Sequence, residues 1–150
     1  MKKYIGVKMI KAEPMRLVDA EELLQRKIKP GNEEGYLVQY PDGYQSWSPK
    51  AQFEEAYREC DNMTFGLAVE AMKKGHKVAR KGWNGRGMFV VYQKGYPQGI
   101  PCNKQTAEAW GMNEGDLFIC KPYLQIKNVD GSHSMWVPSI GDVLGEDWVI

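Results

Sequence analysis

The 150-residue chain is poor in the residues that make metal and disulfide frameworks: it has three cysteines and two histidines. Cys60, Cys102 and Cys120 form an odd set with no C-x-x-C spacing, which argues against a disulfide scaffold and a zinc knuckle. His76 and His133 are far apart, and neither sits in an H-E-x-x-H motif, so no metal site is expected. No apolar run approaches the roughly 18–20 residues of a membrane span. The opening Met1-Lys2-Lys3-Tyr4-Ile5-Gly6-Val7-Lys8 lacks an apolar signal core, and the expectation is a cytosolic protein. Large charge of either sign is absent as well. A formal net charge of +1 argues against a protein that coats DNA or RNA. There is no internal repeat and no low-complexity tract. Hydrophobic content of 43% and charged content of 26% are those of an ordinary folded domain.

What charge there is lies unevenly. Residues 71–100 hold seven Lys/Arg and no acid, whereas residues 128–150 hold four acids and no Lys/Arg. Each segment carries tryptophan among glycines: Arg80-Lys81-Gly82-Trp83-Asn84-Gly85-Arg86-Gly87 in the first, Trp136-Val137-Pro138-Ser139 with Asp142, Asp147 and Trp148 in the second. Cations suit phosphates, indoles suit base faces, and carboxylates or amides suit ribose hydroxyls and base edges. The two segments, with Phe65 a few residues ahead of the first, therefore make a candidate nucleotide site from Phe65, Arg80, Trp83, Asn84, Arg86, Trp136, Ser139 and Asp142. Trp83 and Trp136 would stack or wall the ligand, Asn84 and Asp142 would read edges or ribose, Arg80 and Arg86 would meet phosphates, and Phe65 and Ser139 would line the pocket. A plainer account also fits: tryptophan is highly buried on average, so the indoles could be core, the cations solvated and Asp142 a turn cap. The glycine-rich loop is not a Walker loop, because it lacks the G-K-[ST] ending and opens no helix.

Periodicity and turn chemistry divide the chain into residues 1–60 and 61–150. In the first, Lys3–Lys11 reads as a strand and Val18–Lys27 as a short helix, and Tyr36–Tyr40 and Tyr44–Trp47 form a hairpin around Pro41-Asp42-Gly43. Ser48 is expected to cap a helix with Pro49 at its first position. In the second, Thr64 caps a helix with Leu67, Ala68, Ala71 and Met72 on one face. Val78–Lys81 and Met88–Gln93 read as strands, Tyr96–Pro101 as a loop, and Thr106–Trp110 as a helix stopped by Gly111. Leu117–Lys127 reads as an edge strand interrupted by Pro122 and paired with Met135–Val137, with Ser139 and Asp142 as a capping pair and Trp148–Ile150 as a final strand. The expected class is α+β: an antiparallel sheet with one main helix, preceded by a small α+β N-terminal module.

Residues 63–150 resemble the phage Thoeris anti-defence proteins of the second type. The resemblance rests on Met63-Thr64-Phe65-Gly66, Lys77-Val78-Ala79-Arg80-Lys81-Gly82-Trp83-Asn84-Gly85 with Gly87-Met88-Phe89, Pro122-Tyr123-Leu124-Gln125-Ile126-Lys127, the Asp130-Gly131 turn, and Trp136-Val137-Pro138-Ser139 with Asp142, Leu144, Asp147 and Trp148. It departs at Gly145, where alanine is expected. The resemblance implies a non-enzymatic sponge without a cofactor. It would bind a cyclic ADP-ribose isomer made by TIR-domain immune enzymes, and in some members cyclic dinucleotides, in pockets at the subunit contacts of a homotetramer in the host cytoplasm, with no membrane and no stable nucleic-acid partner. Residues 1–60 resemble a small module found beside various phage domains, through Tyr4-Ile5-Gly6, Ala12-Glu13-Pro14-Met15 and Asp42-Gly43-Tyr44-Gln45-Ser46-Trp47-Ser48-Pro49. Two other readings stay open on the residues alone: a nucleotide- or ADP-ribose-processing enzyme with Asp142 or Asp147 as base, and a nucleic-acid-binding phage protein.

Overall fold

Two compact units, Met1–Glu59 and Cys60–Ile150, make up the computed structural model, which describes residues 1–150. In the first unit, β1 (Lys11–Pro14), β2 (Gly35–Gln39) and β3 (Gln45–Pro49) form an antiparallel sheet in the order β1-β2-β3, joined by α1 (Leu17–Leu24) and followed by α2 (Lys50–Ala56). Its small core is Leu17, Ala20 and Trp47 with Met15 packed alongside, and the Trp47 indole N–H donates to the Met15 carbonyl at 2.8 Å.

Three expectations for this unit need correction. The strand does not begin at Lys3: pairing starts at Lys11 opposite Gln39, and the preceding chain passes the end of β2, where there is no further ladder to join. The first helix stops at Leu24 rather than Lys27 because Gln25 turns left-handed (φ 52°) and its N–H closes back on the Glu21 and Glu22 carbonyls. Ser48 does not cap α2. It is a β3 residue paired with Tyr36, and Pro49, which has no side-chain acceptor, occupies the cap position.

The second unit is also α+β and antiparallel throughout. Its elements are α3 (Phe65–Lys73), β4 (Ala79–Arg80), β5 (Phe89–Gln93), β6 (Tyr96–Pro101), α4 (Lys104–Trp110), β7 (Leu117–Cys120), β8 (Tyr123–Lys127), β9 (His133–Trp136), α5 (Ile140–Leu144) and β10 (Trp148–Val149). The main sheet has the order β5-β8-β9, with β4-β10 and β6-β7 as two-stranded pairs. Thr64 caps α3 as expected, its hydroxyl accepting from the Leu67 N–H at 3.4 Å, and the helix buries Ala68, Ala71 and Met72 on the side facing β5, α5 and β10. Val90 and Ile126 are the buried residues of the sheet.

Tyr96–Pro101 is a strand rather than a loop. A bulge between Tyr96 and Ile100 takes up Pro97, which has no N–H, and Gly99 at φ 90°, and so lets the segment pair with β7. Leu117–Lys127 divides at Pro122 into two strands of different sheets: β7 remains with β6, while β8 lies between β5 and β9. One crossing shapes the candidate site. Val78 exchanges both backbone hydrogen bonds with Val90 of β5, at 3.0 and 2.7 Å, and the next two residues pair instead with β10, Ala79 with Val149 and Arg80 with Trp148. The 81–88 loop leaves from this crossing, with Trp83 near its start.

Candidate functional site

Arg80 lies at the centre of an ion cluster formed by residues more than sixty positions away. Its Nε donates to Asp147 Oδ1 at 2.8 Å, and its Nη1 donates to Asp142 Oδ1 at 3.1 Å. The bond from Asp147 comes first in holding the guanidinium above its ordinary range, with Asp142 adding to it. The guanidinium lies close over Gly145, which follows α5. A Cβ there would stand 2.7 Å from Arg80 Nη2 and 2.9 Å from Cζ, so a larger residue at this position would press the guanidinium aside.

Asp142 anchors the start of α5. Its Oδ2 accepts from the Ser139 N–H and hydroxyl at 2.9 and 2.8 Å, while Ser139 Oγ accepts from the Asp142 N–H at 3.1 Å, a reciprocal capping box. Its Oδ1 takes the Trp83 indole N–H at 3.4 Å as well as Arg80. Burial by itself would raise the Asp142 carboxyl, but the bonds from Ser139, Arg80 and Trp83 outweigh it and hold the group below the usual carboxylate range. Asp147 is held low as well, first by Arg80, against some desolvation, and then by the Gly82 N–H, which donates to Oδ2 at 3.0 Å.

Beside the ions stands an aromatic cluster. Trp148, fully buried, has Phe65 and Trp83 at 5.5 Å and Trp136 at 6.1 Å between ring centroids, and its indole N–H donates to the Asp142 carbonyl at 2.9 Å. Trp83 and Trp136 meet edge to face at 6.1 Å, and Phe65 meets Trp136 at 6.4 Å. These are ordinary contact distances for tilted rings, so no slot for a further ring opens between them. Phe65, Trp83 and Trp136 remain partly exposed.

Six of the eight residues singled out from sequence thus come together: Phe65, Arg80, Trp83, Trp136, Ser139 and Asp142. Asn84 and Arg86 stand apart, exposed on the 81–88 loop with no side-chain hydrogen bond or ion pair. Sequence reasoning left Asp147, Trp148 and Gly145 out of the site. Asp147 and Trp148 lie in the same acidic tract and were legible as residue types. Gly145 was not, because what makes it matter is a neighbour 65 positions away. No group of three or more His, Cys, Asp or Glu is placed to hold a metal ion.

Residues 63–150 match the family model of the Thoeris anti-defense 2-like domain. The chain is also similar to "Thoeris anti-defense 2" of Bacillus phage SP01, with 37% identity over 92 residues that cover 59% of this chain and 93% of that protein.

Proposed function

The chain belongs to the Thoeris anti-defense 2-like family, and from that premise we propose that its second unit is a sponge for a cyclic ADP-ribose-type signal nucleotide, with cyclic dinucleotides as a second ligand class. It holds the ligand without cleaving it and so keeps the signal from its effector in the cytoplasm of the infected host. The observation that carries this reading is the corner itself: two partly exposed indoles set edge to face beside an ordered ion cluster. Indole faces suit adenine, and hydrogen-bonding groups suit ribose.

Binding accounts for the corner better than catalysis does. A general base works best with a pKa near the operating pH. Asp142 and Asp147 are shifted the other way, and both are engaged by Arg80. We also propose a homotetramer with pockets completed by neighbouring copies. Met135, Val137, Ile140 and Leu144 support it: each is at least 69% exposed, and they flank Trp136 and Ser139 in sequence. Burying such a patch against a second copy would exclude water from the indoles.

The test is to incubate the protein with cyclic ADP-ribose isomers and cyclic dinucleotides, remove free ligand, denature by heat and identify what is released by mass spectrometry. Intact nucleotide is expected. A changed product would make the protein a nucleotide-processing enzyme, and salt-steep binding to single-stranded DNA with no cyclic-nucleotide binding would make it a nucleic-acid binder.

A further inference from the structure

The two carboxylates of the corner differ in how many acceptor sites they have left. An ionised carboxylate offers about four lone-pair sites. Asp142 has all of them filled: Arg80 Nη1 and Trp83 Nε1 on Oδ1, the Ser139 N–H and hydroxyl on Oδ2. Asp147 receives one donor on each oxygen, Arg80 Nε and the Gly82 N–H, and keeps about half its capacity. It is also the more accessible of the two, with 30% of its side chain exposed against 13% for Asp142. Any ligand donor reaching Asp142 must displace an internal one, whereas a donor reaching Asp147 need not.

Charge points the same way. Arg80 is one cation set between two carboxylates, so the cluster as a whole is negative and repels a phosphate. Groups that carry a polar hydrogen and no negative charge suit it, and the hydroxyls of a ribose are such groups. Carboxylate acceptance from ribose hydroxyls is a general solution in nucleotide sites. The indole faces of Trp83 and Trp136 lie in the same corner, where the attached base can stack.

We propose that Asp147 is the specificity-determining carboxylate of the site, accepting a hydrogen bond from a free ribose hydroxyl of the bound nucleotide, and that the nucleotide's phosphates lie away from the Arg80 cluster. The inference rests on the nucleotide-binding reading above and reverses the role expected of Arg80, which becomes an internal counterion rather than a phosphate partner.

Asp147→Asn decides it by the sign of the change. If a hydroxyl is read, the amide removes one acceptor oxygen and affinity falls by about tenfold or more. If Arg80 meets a phosphate, the same change removes a repelling charge, frees the guanidinium and tightens binding. Titration calorimetry with cyclic ADP-ribose isomers and cyclic di-GMP, each beside an analogue lacking a free ribose hydroxyl, gives a second measurement on the unaltered protein. The wild type is expected to lose about tenfold on the deoxy analogue, and Asp147→Asn is expected to lose little more. Should the variant fail to fold, the wild-type comparison decides alone. Equal or tighter binding by a folded Asp147→Asn, or indifference of the wild type to the missing hydroxyl, overturns this inference and leaves the sponge intact. No binding of any of these nucleotides by the wild type overturns both.

Discussion

In each unit one carboxylate gathers the most donors, Glu21 in the first and Asp142 in the second, and the two do different work. In Met1–Glu59, Glu21 accepts from Lys27 Nζ at 2.6 Å and from the Ile28 and Lys29 N–H groups at 2.7 and 3.1 Å, partners six to eight residues along the chain. It closes the loop that follows α1. In Cys60–Ile150, Asp142 binds Arg80 and Trp83, 62 and 59 residues away, and caps its own helix through Ser139. The aromatic rings differ in parallel. Those of the first unit lie stacked, Tyr36 on Phe53 at 4.1 Å and Phe53 on Tyr57 at 4.9 Å, while those of the second meet at steep angles around Trp148. A carboxylate with local partners orders a turn. One with distant partners brings elements together and can build a site.

The sharpest way to break the contrast is at the two buried tryptophans. Trp148→Ala should cost about 3–5 kcal/mol by denaturant unfolding, as large-to-small changes of buried aromatics do, and should abolish nucleotide binding because three rings lose their common support. Trp47→Ala empties the core of the first unit and should leave the affinity of folded protein unchanged. Next in size is the loss of a stacking surface. Trp83→Ala should weaken nucleotide binding by about 1–3 kcal/mol in titration calorimetry, while Lys2→Ala, on the exposed opening segment, should not alter it.

Acid should separate the units less sharply. Asp142, Asp147 and Glu21 all have folded pKa values below their unfolded ones, so each contributes stability that is complete above the unfolded value and lost as pH falls through the folded one. With unfolded carboxylates near about 4, stability should hold from neutral pH down to there and decline below it. Following carboxyl signals by NMR during the titration should show Arg80 contacts broadening as Asp147 protonates. A decline that begins near neutral pH would contradict these directions. Gly145→Ala comes next, at about 1 kcal/mol, the lower end of what overpacking costs; its NMR signature is a displaced Arg80 guanidinium rather than a changed fold. The smallest effect is expected from Glu21→Gln, which should speed hydrogen exchange at the Ile28 and Lys29 amides and leave the second unit untouched.

Much of this was readable from local chemistry. Thr64 as a helix cap, Gly111 as a helix stop and the Ser139–Asp142 box all follow from residues within three or four positions of one another, where backbone geometry leaves few choices. The failures among the strands share one cause. Lys3–Lys11 has the residues of a strand but no edge to pair with beyond Gln39, and Tyr96–Pro101 has the residues of a loop but a partner in β7 strong enough to absorb its proline and glycine in a bulge. Strand formation needs a partner, and one segment cannot report whether it has one.

By itself, then, the sequence determined the α+β class, the caps of α3 and α5, the stop of α4, and the residue types of the candidate site: indoles, an arginine and carboxylates in two tracts of opposite charge. Only the tertiary structure decided how they combine. The turn of the chain between Val78 and Ala79 from one sheet to another carries Arg80 to Asp142 and Asp147, where the guanidinium lies close over Gly145. Helix caps are set by bonds between near neighbours along the chain; the number of donors a carboxylate has left for a ligand is set by which distant groups have already used them.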